Sequence, residues 1–255
     1  MSASQMQMIA LPGLPMVRPG DALADQILAG VATAGETLQS GDVLVIAQKI
    51  VSKAEGRYAD IRDVTPSDRA HELAAEVHKD PRLVELILSE AQSVLRHRPG
   101  VLVVVHRLGY VMANAGIDHS NVGPDGDDHV LLLPEDPDGS ARALRDRFAA
   151  DPGVEVGIIV SDSVGRAWRN GTVGMALGVA GLPALQDLRG RNDLYGRPLE
   201  VSQVALADEL AAAASLLQGQ ADEGMPVVLI RGAKIDGPPQ DATALLRPAR
   251  EDLFR

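Results

Sequence analysis

Residues 158–170 read IIVSDSVGRAWRN, an apolar run that leads into a carboxylate, a hydroxyl, a glycine and two arginines. The apolar part belongs to a predicted buried strand over residues 154–160. Sheets that mix strands with helices bind their ligands at strand ends. We therefore interpret Asp162 and Ser163 as candidate metal ligands and either Arg166 or Arg169 as a candidate partner for a phosphate or carboxylate. A structural ion pair at a turn is the alternative.

Around this stretch, short apolar runs alternate with alanine- and leucine-rich helical patterns, as in a mixed α/β or α+β domain. Predicted strands cover residues 8–11, 42–47, 101–105, 110–113, 130–133, 154–160 and 226–230, and predicted helices cover residues 22–34, 66–79, 81–96, 140–150 and 206–218. Residues 107–109 (RLG) are predicted to form a hairpin turn. The helix with the clearest start has Thr65 as its N-cap, Pro66 at its first position and Asp68 in its first turn.

Composition narrows the classes of function. The formal net charge is −11, which argues against nucleic-acid and anionic-membrane partners, because both need a basic surface to displace counterions. The chain has no cysteine, so a disulfide framework, a thiolate nucleophile and cysteine-ligated zinc are excluded. No stretch approaches the ~18 apolar residues that a membrane span needs. We expect a cytoplasmic protein that binds small molecules.

Polar segments also follow the first two predicted strands. In residues 12–16 (PGLPM) a glycine would let backbone amides approach a flat or anionic group, although an ordinary loop is the simpler interpretation. Residues 47–57 read AQKIVSKAEGR, where the Lys53 ammonium and the Ser52 hydroxyl suit phosphate oxygens. A solvated strand end with Lys53 as a surface charge is an equal alternative.

A third polar segment, residues 114–122, reads NAGIDHSNV. Asp118 is a hard oxygen ligand of the kind that Mg²⁺ and Mn²⁺ prefer, and Asn121 could hold a base or a phosphate. Loops rich in Asn and Asp also commonly cap their own backbone. His119 is interpreted as a loop histidine, because hard oxygen sites seldom recruit imidazole. The chain has no GxxxxGK[ST] motif and no dinucleotide fingerprint, so any nucleotide must be bound differently.

Eight segments run in order over nearly the whole chain: GLP, VSKAEGR, NAGIDxSN, LLPxDPDxSA, VSDSxGRxWRxGxVGxAxGVAGL, GRxDLYGRxL, ADELAAAA and PVVLIRG. Together they resemble the coenzyme F-420:L-glutamate ligase family. The resemblance implies an α+β fold of mixed β-sheets with packed helices, an unusual ligase fold and an intertwined homodimer. It implies one ligase domain over residues 1–255 in its stand-alone form, without a nitroreductase-like domain. The length leaves two intimately packed subdomains open.

The same resemblance implies the activity and the site. The enzyme would use GTP to join L-glutamate, in γ-linkage, to the lactyl carboxylate of coenzyme F-420-0 through an acyl phosphate. Two divalent ions, Mg²⁺ or Mn²⁺, would be held by Asp118, Asp162, Ser163 and Gln220, with K⁺ as a further candidate ion. GTP would contact Gly13, Leu14, Pro15, Met16, Ser52, Lys53, Asn121, Gln218, Gly219, Gln220, Ala221, Asp222, Glu223, Gly224 and Met225. The catalytic residues would be Asp118, Asp162 and Arg166.

Three other functions stay open at this stage. A metal-dependent phosphohydrolase could use Asp118 and Asp162 to activate water. A nucleotide-binding module without turnover could use the same residues. A related ligase could act on a different carboxylate acceptor.

Overall fold

The structure is a computed structural model, and it describes residues 4–123 and 128–253. Its strands are β1 (Gln7–Ala10), β2 (Val43–Ala47), β3 (Tyr58–Asp60), β4 (Ala91–Arg98), β5 (Val101–His106), β6 (Val111–Ala113), β7 (His129–Leu131), β8 (Gly157–Arg166), β9 (Arg169–Ala180), β10 (Gln186–Asp187), β11 (Gln203–Val204) and β12 (Val227–Arg231). Its α-helices are α1 (Leu23–Thr33), α2 (Gln48–Ala54), α3 (Asp68–Val77), α4 (Pro81–Ser89), α5 (Pro137–Ala150) and α6 (Leu206–Gln218).

A five-stranded mixed sheet in the order β1-β12-β2-β8-β9 forms the centre of the fold. Strands β2 and β8 are parallel, and every other neighbouring pair is antiparallel. Apolar side chains of α1, α2 and α5 cover one face of this sheet, and those of α6 cover the other. Because both faces are covered, β2 and β12 are continuous runs of Val, Leu and Ile rather than alternating ones.

The part of the chain between α2 and α5 forms a second layer with a core of its own. It contains α3, α4, the three-stranded sheet β4-β5-β6 and the ribbon β3-β7. A smaller cluster that includes Tyr110, Val164 and Leu177 packs this layer against the β8-β9 hairpin. The Tyr110 hydroxyl also donates to the Leu177 carbonyl. The architecture agrees with the predicted α+β class of mixed sheets with packed helices.

The predicted start of the second helix was wrong by two residues. Helix α3 begins at Asp68, and Ser67 rather than Thr65 is its N-cap, with its hydroxyl accepting from the Ala70 amide at 3.2 Å. The Glu85 carboxylate of α4 accepts from both the amide and the hydroxyl of Ser67. This contact between the two helices selects the capping residue. Asp68 lies in the first turn, as predicted.

The helix predicted over residues 81–96 was wrong in its second half. Helix α4 ends at Ser89, and β4 follows it, antiparallel to β5. The β4-β5 pairing shifts register twice, between Ala91 and Ser93 and between Val94 and Arg96. Each irregularity breaks the alternation of a strand, so the apolar residues of β4 fall at the spacing of three that indicates a helix. The hairpin turn predicted over residues 107–109 is confirmed between β5 and β6.

Strand β8 is longer than predicted, and its partner β9 was missed. Strand β8 continues through Arg166, and β9 pairs with it along almost its full length. Glycine is depleted in strands, so the glycines of β9 prevented its prediction as a strand. They are needed there, because a Cβ on Gly174 would meet the Ala211 carbonyl at 2.3 Å and one on Gly178 would meet the Pro137 carbonyl at 2.2 Å. Within the described residues, no helix has the length and apolarity that crossing a membrane requires.

Candidate active site

The predicted binding segments converge on one edge of the central sheet. Strands β1 and β2 end at this edge, and β12, which is antiparallel to both, begins there. Ala47, the last residue of β2, pairs with Ser161 in the middle of β8. The edge therefore carries residues 13–16, then residues 218–225, then the start of α2, and then Asp162. This order follows from the strand order, which the sequence did not reveal.

The polar segment after β2 is a helix and not the solvated strand end that was the alternative prediction. Helix α2 starts directly at Gln48 and packs Ile50 and Val51 into the core. As a result Ser52 is fully buried and Lys53 is only 6% exposed. Lys53 is therefore not a surface charge. Burial, followed by the neighbouring Lys49, lowers its pKa, and Asp118 partly opposes this effect.

Asp118 reaches the site from the second layer through a left-handed turn. Asn114, Ala115 and Gly116 all have positive φ, of 50°, 54° and 66°. The left-handed region costs roughly 1–2 kcal/mol for each non-glycine residue, so surrounding contacts must hold it. Asn114 Oδ1 accepts from the Leu102 amide at 3.1 Å, and Ala115 is fully buried. Asp118 is fixed in turn by two backbone hydrogen bonds with Leu131.

A cavity of about 280 Å³ opens where the second layer meets β8 and β9. Its polar lining consists of Lys49, Asp118, Ser120, Asp162, Ser163, Thr172 and Gln220. All four residues of the predicted metal set are therefore brought together here, from three distant parts of the chain. The predicted catalytic Arg166 lies apart from the lining, exposed at the turn of the β8-β9 hairpin, and His119 is an exposed loop residue that also lies outside it.

The two carboxylates of the cavity repel each other. Burial raises the pKa of Asp162 to about 6, and the Asp118 charge adds to this increase. Burial also raises the pKa of Asp118, although Lys49 lowers it through an ion pair of 3.3 Å. Two carboxylates with raised pKa values that line one cavity are typical of functional sites. Such a pair favours a cation between its members.

Lys49 and Gln48 were not predicted as site residues, although both stand in the segment that was singled out. Lys49 Nζ donates to the Ser120 carbonyl at 3.2 Å besides pairing with Asp118. Gln48 Nε2 donates to Asp118 Oδ2 at 2.7 Å, and Gln48 Oε1 accepts from the Ser52 hydroxyl at 2.9 Å. The signal that could have found them is their position directly after a buried strand.

Three of the predicted nucleotide-binding segments are joined by hydrogen bonds. Lys53 Nζ donates to the Asn121 carbonyl at 2.6 Å, and Asn121 Nδ2 donates to the Ala221 carbonyl at 3.0 Å. Gln218 Nε2 joins the loop that contains Ala221 to the sheet, because it donates both to the Pro226 carbonyl at 3.2 Å and to the Val45 carbonyl of β2 at 3.4 Å. Within it the Glu223 carboxylate accepts from the Ala221 amide at 2.8 Å. These contacts place α2, the Asp118 loop and the loop before β12 side by side.

The fourth predicted segment, residues 13–16, lies at the same edge but outside the cavity lining. Gly13 has a φ of +73°, in the left-handed region, so a side chain there would be strained. Leu14 packs against Gly30 of α1, where a Cβ would come within 2.8 Å of the leucine side chain. Met16 is 76% exposed. The Met16 side chain is therefore available to contact a ligand that extends along this edge of the central sheet.

The cavity carries oxygen groups of the kind that bind a divalent ion. Among residues 4–123 and 128–253, no three His, Asp or Glu side chains come together as a metal cluster. The cavity offers instead two carboxylates, the Ser163 hydroxyl and the Gln220 amide. Magnesium is commonly held by one or two carboxylates, with substrate phosphates and water completing its shell. The oxygen ligands present fit that mode of binding.

Fold and cavity together define an α+β protein with a polar cleft of carboxylate, amide, hydroxyl and ammonium groups at the edge of a mixed sheet. A family model described as F420-0:Gamma-glutamyl ligase matches residues 13–232. The chain belongs to this family.

Several relatives align with this chain over nearly its full length. A protein of Methanopyrus kandleri named coenzyme F420:L-glutamate ligase is 49% identical over 244 residues, 94% of this chain and 93% of the relative. One of Methanothermobacter thermautotrophicus with that name is 46% identical over 253 residues, 97% and 98% of the two chains. One of Haloarcula marismortui is 42% identical over 256 residues, 98% and 96%.

Proposed function

We propose that this chain is a GTP-dependent ligase that joins the amine of L-glutamate to the lactyl carboxylate of coenzyme F420-0 in coenzyme F420 biosynthesis. The observation that carries the proposal is the match over residues 13–232, together with full-length relatives named coenzyme F420:L-glutamate ligase. The cavity supports it, because carboxylate, amide and hydroxyl oxygens beside a lysine suit the handling of phosphorylated substrates.

Asp118, Asp162, Ser163 and Gln220 are proposed to hold divalent ions, Mg²⁺ or Mn²⁺, together with substrate phosphates. When bound, such ions neutralise negative charge on the phosphoryl group. The protein's own contribution is to hold two carboxylates from different layers, 44 positions apart in sequence, on one cavity. Lys49 adds a positive charge at the same wall, where an ammonium can pair with a phosphate oxygen. K⁺ is a further candidate ion at this edge.

The nucleotide is proposed to lie along the sheet edge, with its phosphates at the cavity. Residues 13–16, Ser52, Lys53, Asn121 and residues 218–225 form its binding segments, and hydrogen bonds join three of them to one another. Ser52 is fully buried and its hydroxyl donates to Gln48, so Ser52 also acts on the site through the Gln48 side chain. Guanine preference is tested by comparing GTP with ATP in the same assay.

The reaction is proposed to proceed in two steps, a phosphoryl transfer from GTP to the precursor and an acyl transfer to glutamate. A carboxylate oxygen of the precursor attacks the γ-phosphorus of GTP, the bond to the bridging oxygen breaks, and GDP leaves. The glutamate amine then attacks the acyl carbon, inorganic phosphate leaves, and the amine releases a proton to solvent. A protein nucleophile is not required, which agrees with a chain without cysteine. Water must be kept from the acyl phosphate, because it competes with the amine.

A homodimer is proposed as the functional form. Two segments carry large apolar side chains that are exposed in a single chain: Trp168 in the β8-β9 turn is 86% exposed, and Leu194, Tyr195 and Val201 between β10 and β11 are 84–100% exposed. Exposed apolar groups of this size are typical of protein interfaces. Analytical ultracentrifugation is expected to show twice the chain mass, and a monomer at micromolar concentration would refute this part of the proposal.

Mass spectrometry of the reaction product tests the function directly. Purified protein is incubated with coenzyme F420-0, L-glutamate, GTP and Mg²⁺, and the deazaflavin product is expected to gain the mass of glutamate less water. Omission of glutamate or GTP is the control and should leave the precursor unchanged. Phosphate release without any such product would favour hydrolysis, and ligation to a different carboxylate would identify another acceptor.

A further inference from the structure

Gln48 is a buried, uncharged side chain that contacts one of the two cavity carboxylates. It is only 1% exposed, and both ends of its amide are engaged. Nε2 donates to Asp118 Oδ2 at 2.7 Å, while Oε1 accepts from the Ser52 hydroxyl at 2.9 Å. An amide has one donor end and one acceptor end, and an ionised carboxylate only accepts whereas a serine hydroxyl can donate or accept, so Asp118 determines which end faces it and Ser52 donates to the other. The donor end of Gln48 therefore points at the carboxylate.

The location of Gln48 in the fold connects the two halves of the cavity. It is the first residue of α2 and directly follows β2, which pairs in parallel with β8. Asp162 lies on β8, whereas Asp118 comes from the second layer. Gln48 thus contacts the carboxylate of the second layer from a helix that directly follows the neighbour strand of β8.

A neutral donor is suited to this place. Lys49 already pairs with Asp118 Oδ1 at 3.3 Å, so a second lysine in place of Gln48 would increase the competition with a bound cation, and a carboxylate there would add to the repulsion between Asp118 and Asp162. The Gln48 amide adds no charge and uses one lone pair of Asp118 Oδ2, so a metal would share this carboxylate with Lys49 or displace it. Groups that hydrogen-bond to metal ligands in this way fix the orientation of the ligand and raise the affinity of the site.

We propose that Gln48, held in place by the Ser52 hydroxyl, is a positioning residue that orients the Asp118 carboxylate for divalent-cation binding in the cavity that Asp118 shares with Asp162. The inference rests on the proposed function only in taking these two carboxylates as metal ligands. It assigns the Ser52 hydroxyl a role through Gln48, in addition to the place that the proposed function gives Ser52 among the nucleotide-binding residues.

The test measures Mn²⁺ binding by calorimetry and by electron paramagnetic resonance, with no GTP, precursor or glutamate present. Gln48→Met keeps the length of the side chain but cannot donate a hydrogen bond, and its Kd for Mn²⁺ is expected to rise about 10-fold. Ser52→Ala, which removes a single hydroxyl, is expected to raise the Kd by a smaller factor. Gln26→Met is the matched control, because Gln26 also donates to an aspartate, Asp21, in a different part of the fold.

The double variant distinguishes an indirect role of Ser52 from a direct one. If Ser52 acts through Gln48, adding Ser52→Ala to Gln48→Met should raise the Kd no further. Full additivity, or a loss of GTP affinity in Ser52→Ala with unchanged Mn²⁺ affinity, would overturn the proposal. So would an unchanged Mn²⁺ Kd in Gln48→Met. Should Gln48→Met fail to fold, as judged by circular dichroism, the Mn²⁺ Kd of Ser52→Ala decides alone.

Failure of the proposed function gives a different result. Unaltered protein that binds Mn²⁺ but makes no glutamylated product would refute the ligase and leave the Gln48 comparison valid. Unaltered protein that binds no Mn²⁺ would overturn the positioning role itself.

Discussion

Replacement of Asp162 by Asn is expected to stabilise the metal-free protein while removing most of the proposed ligase activity. Burial and the Asp118 charge raise the pKa of Asp162 from its ordinary 3.8 to about 6. The difference corresponds to about 3 kcal/mol that the folded protein loses when this group ionises. Because Asp162 keeps partial contact with solvent, we expect about 2 kcal/mol after screening. The Asn variant does not ionise and avoids this cost.

The difference in stability between Asp162→Asn and the unaltered protein should depend on pH. Below about pH 4 the carboxyl is protonated in both folded and unfolded chains, so the variant and the unaltered protein should be equally stable. Between about pH 4 and pH 6 the unfolded chain loses the proton first, and the unaltered protein loses stability relative to the variant. Above about pH 6 the difference should stay constant. The advantage of Asp162→Asn is therefore greatest at neutral and alkaline pH.

Urea unfolding in the presence of EDTA, at pH 4 and pH 7.5, measures this difference. Asp42→Asn is the matched control, because Asp42 is also buried but is paired with Arg231 through contacts of 2.8 and 2.7 Å. Neutralising Asp42 should destabilise the protein, the opposite sign, since it weakens two charge-assisted hydrogen bonds and leaves Arg231 with Glu36 as its remaining ion-pair partner. Ligation by Asp162→Asn should fall by on the order of 100-fold at ordinary metal concentration. Near-normal turnover, or lower stability than the unaltered protein at pH 7.5, would refute the reasoning.

Two further predictions concern nucleotide binding and the order of the two chemical steps. Lys53→Met keeps the buried part of the side chain and removes the ammonium, so calorimetry should show GTP affinity falling by about 10-fold. Lys79→Met, at another partly buried lysine, is the control and should leave GTP affinity unchanged. Equal GTP affinities in both variants would assign Lys53 a purely structural role. Enzyme, metal, GTP and precursor without glutamate should yield a hydroxamate of the precursor when hydroxylamine is added, because hydroxylamine traps an acyl phosphate. Steady phosphate release without precursor, and no hydroxamate with it, would favour a phosphohydrolase.

Local patterns in the sequence were sufficient for most elements of the main sheet. The runs that became β2 and β12 are continuous stretches of Val, Leu and Ile, and helix α6 was predicted with the bounds that the structure shows. Patterns failed where tertiary contacts determine the conformation. Strand β4 carries two register irregularities that imitate helical spacing, and β9 is rich in glycine because helices pack directly on its backbone.

By itself, the sequence determined which residue types are available for chemistry. The absence of cysteine, the acidic charge and the clustered polar segments limited the site to oxygen and nitrogen groups. Only the tertiary structure decided which of them meet. The strand order brings the ends of β1 and β2 and the start of β12 to one edge, and a left-handed turn carries Asp118 across from the second layer to face Asp162. Strand order and burial arise from contacts between distant segments, so Gln48 and Lys49 acquire their place in the site only when the chain is folded.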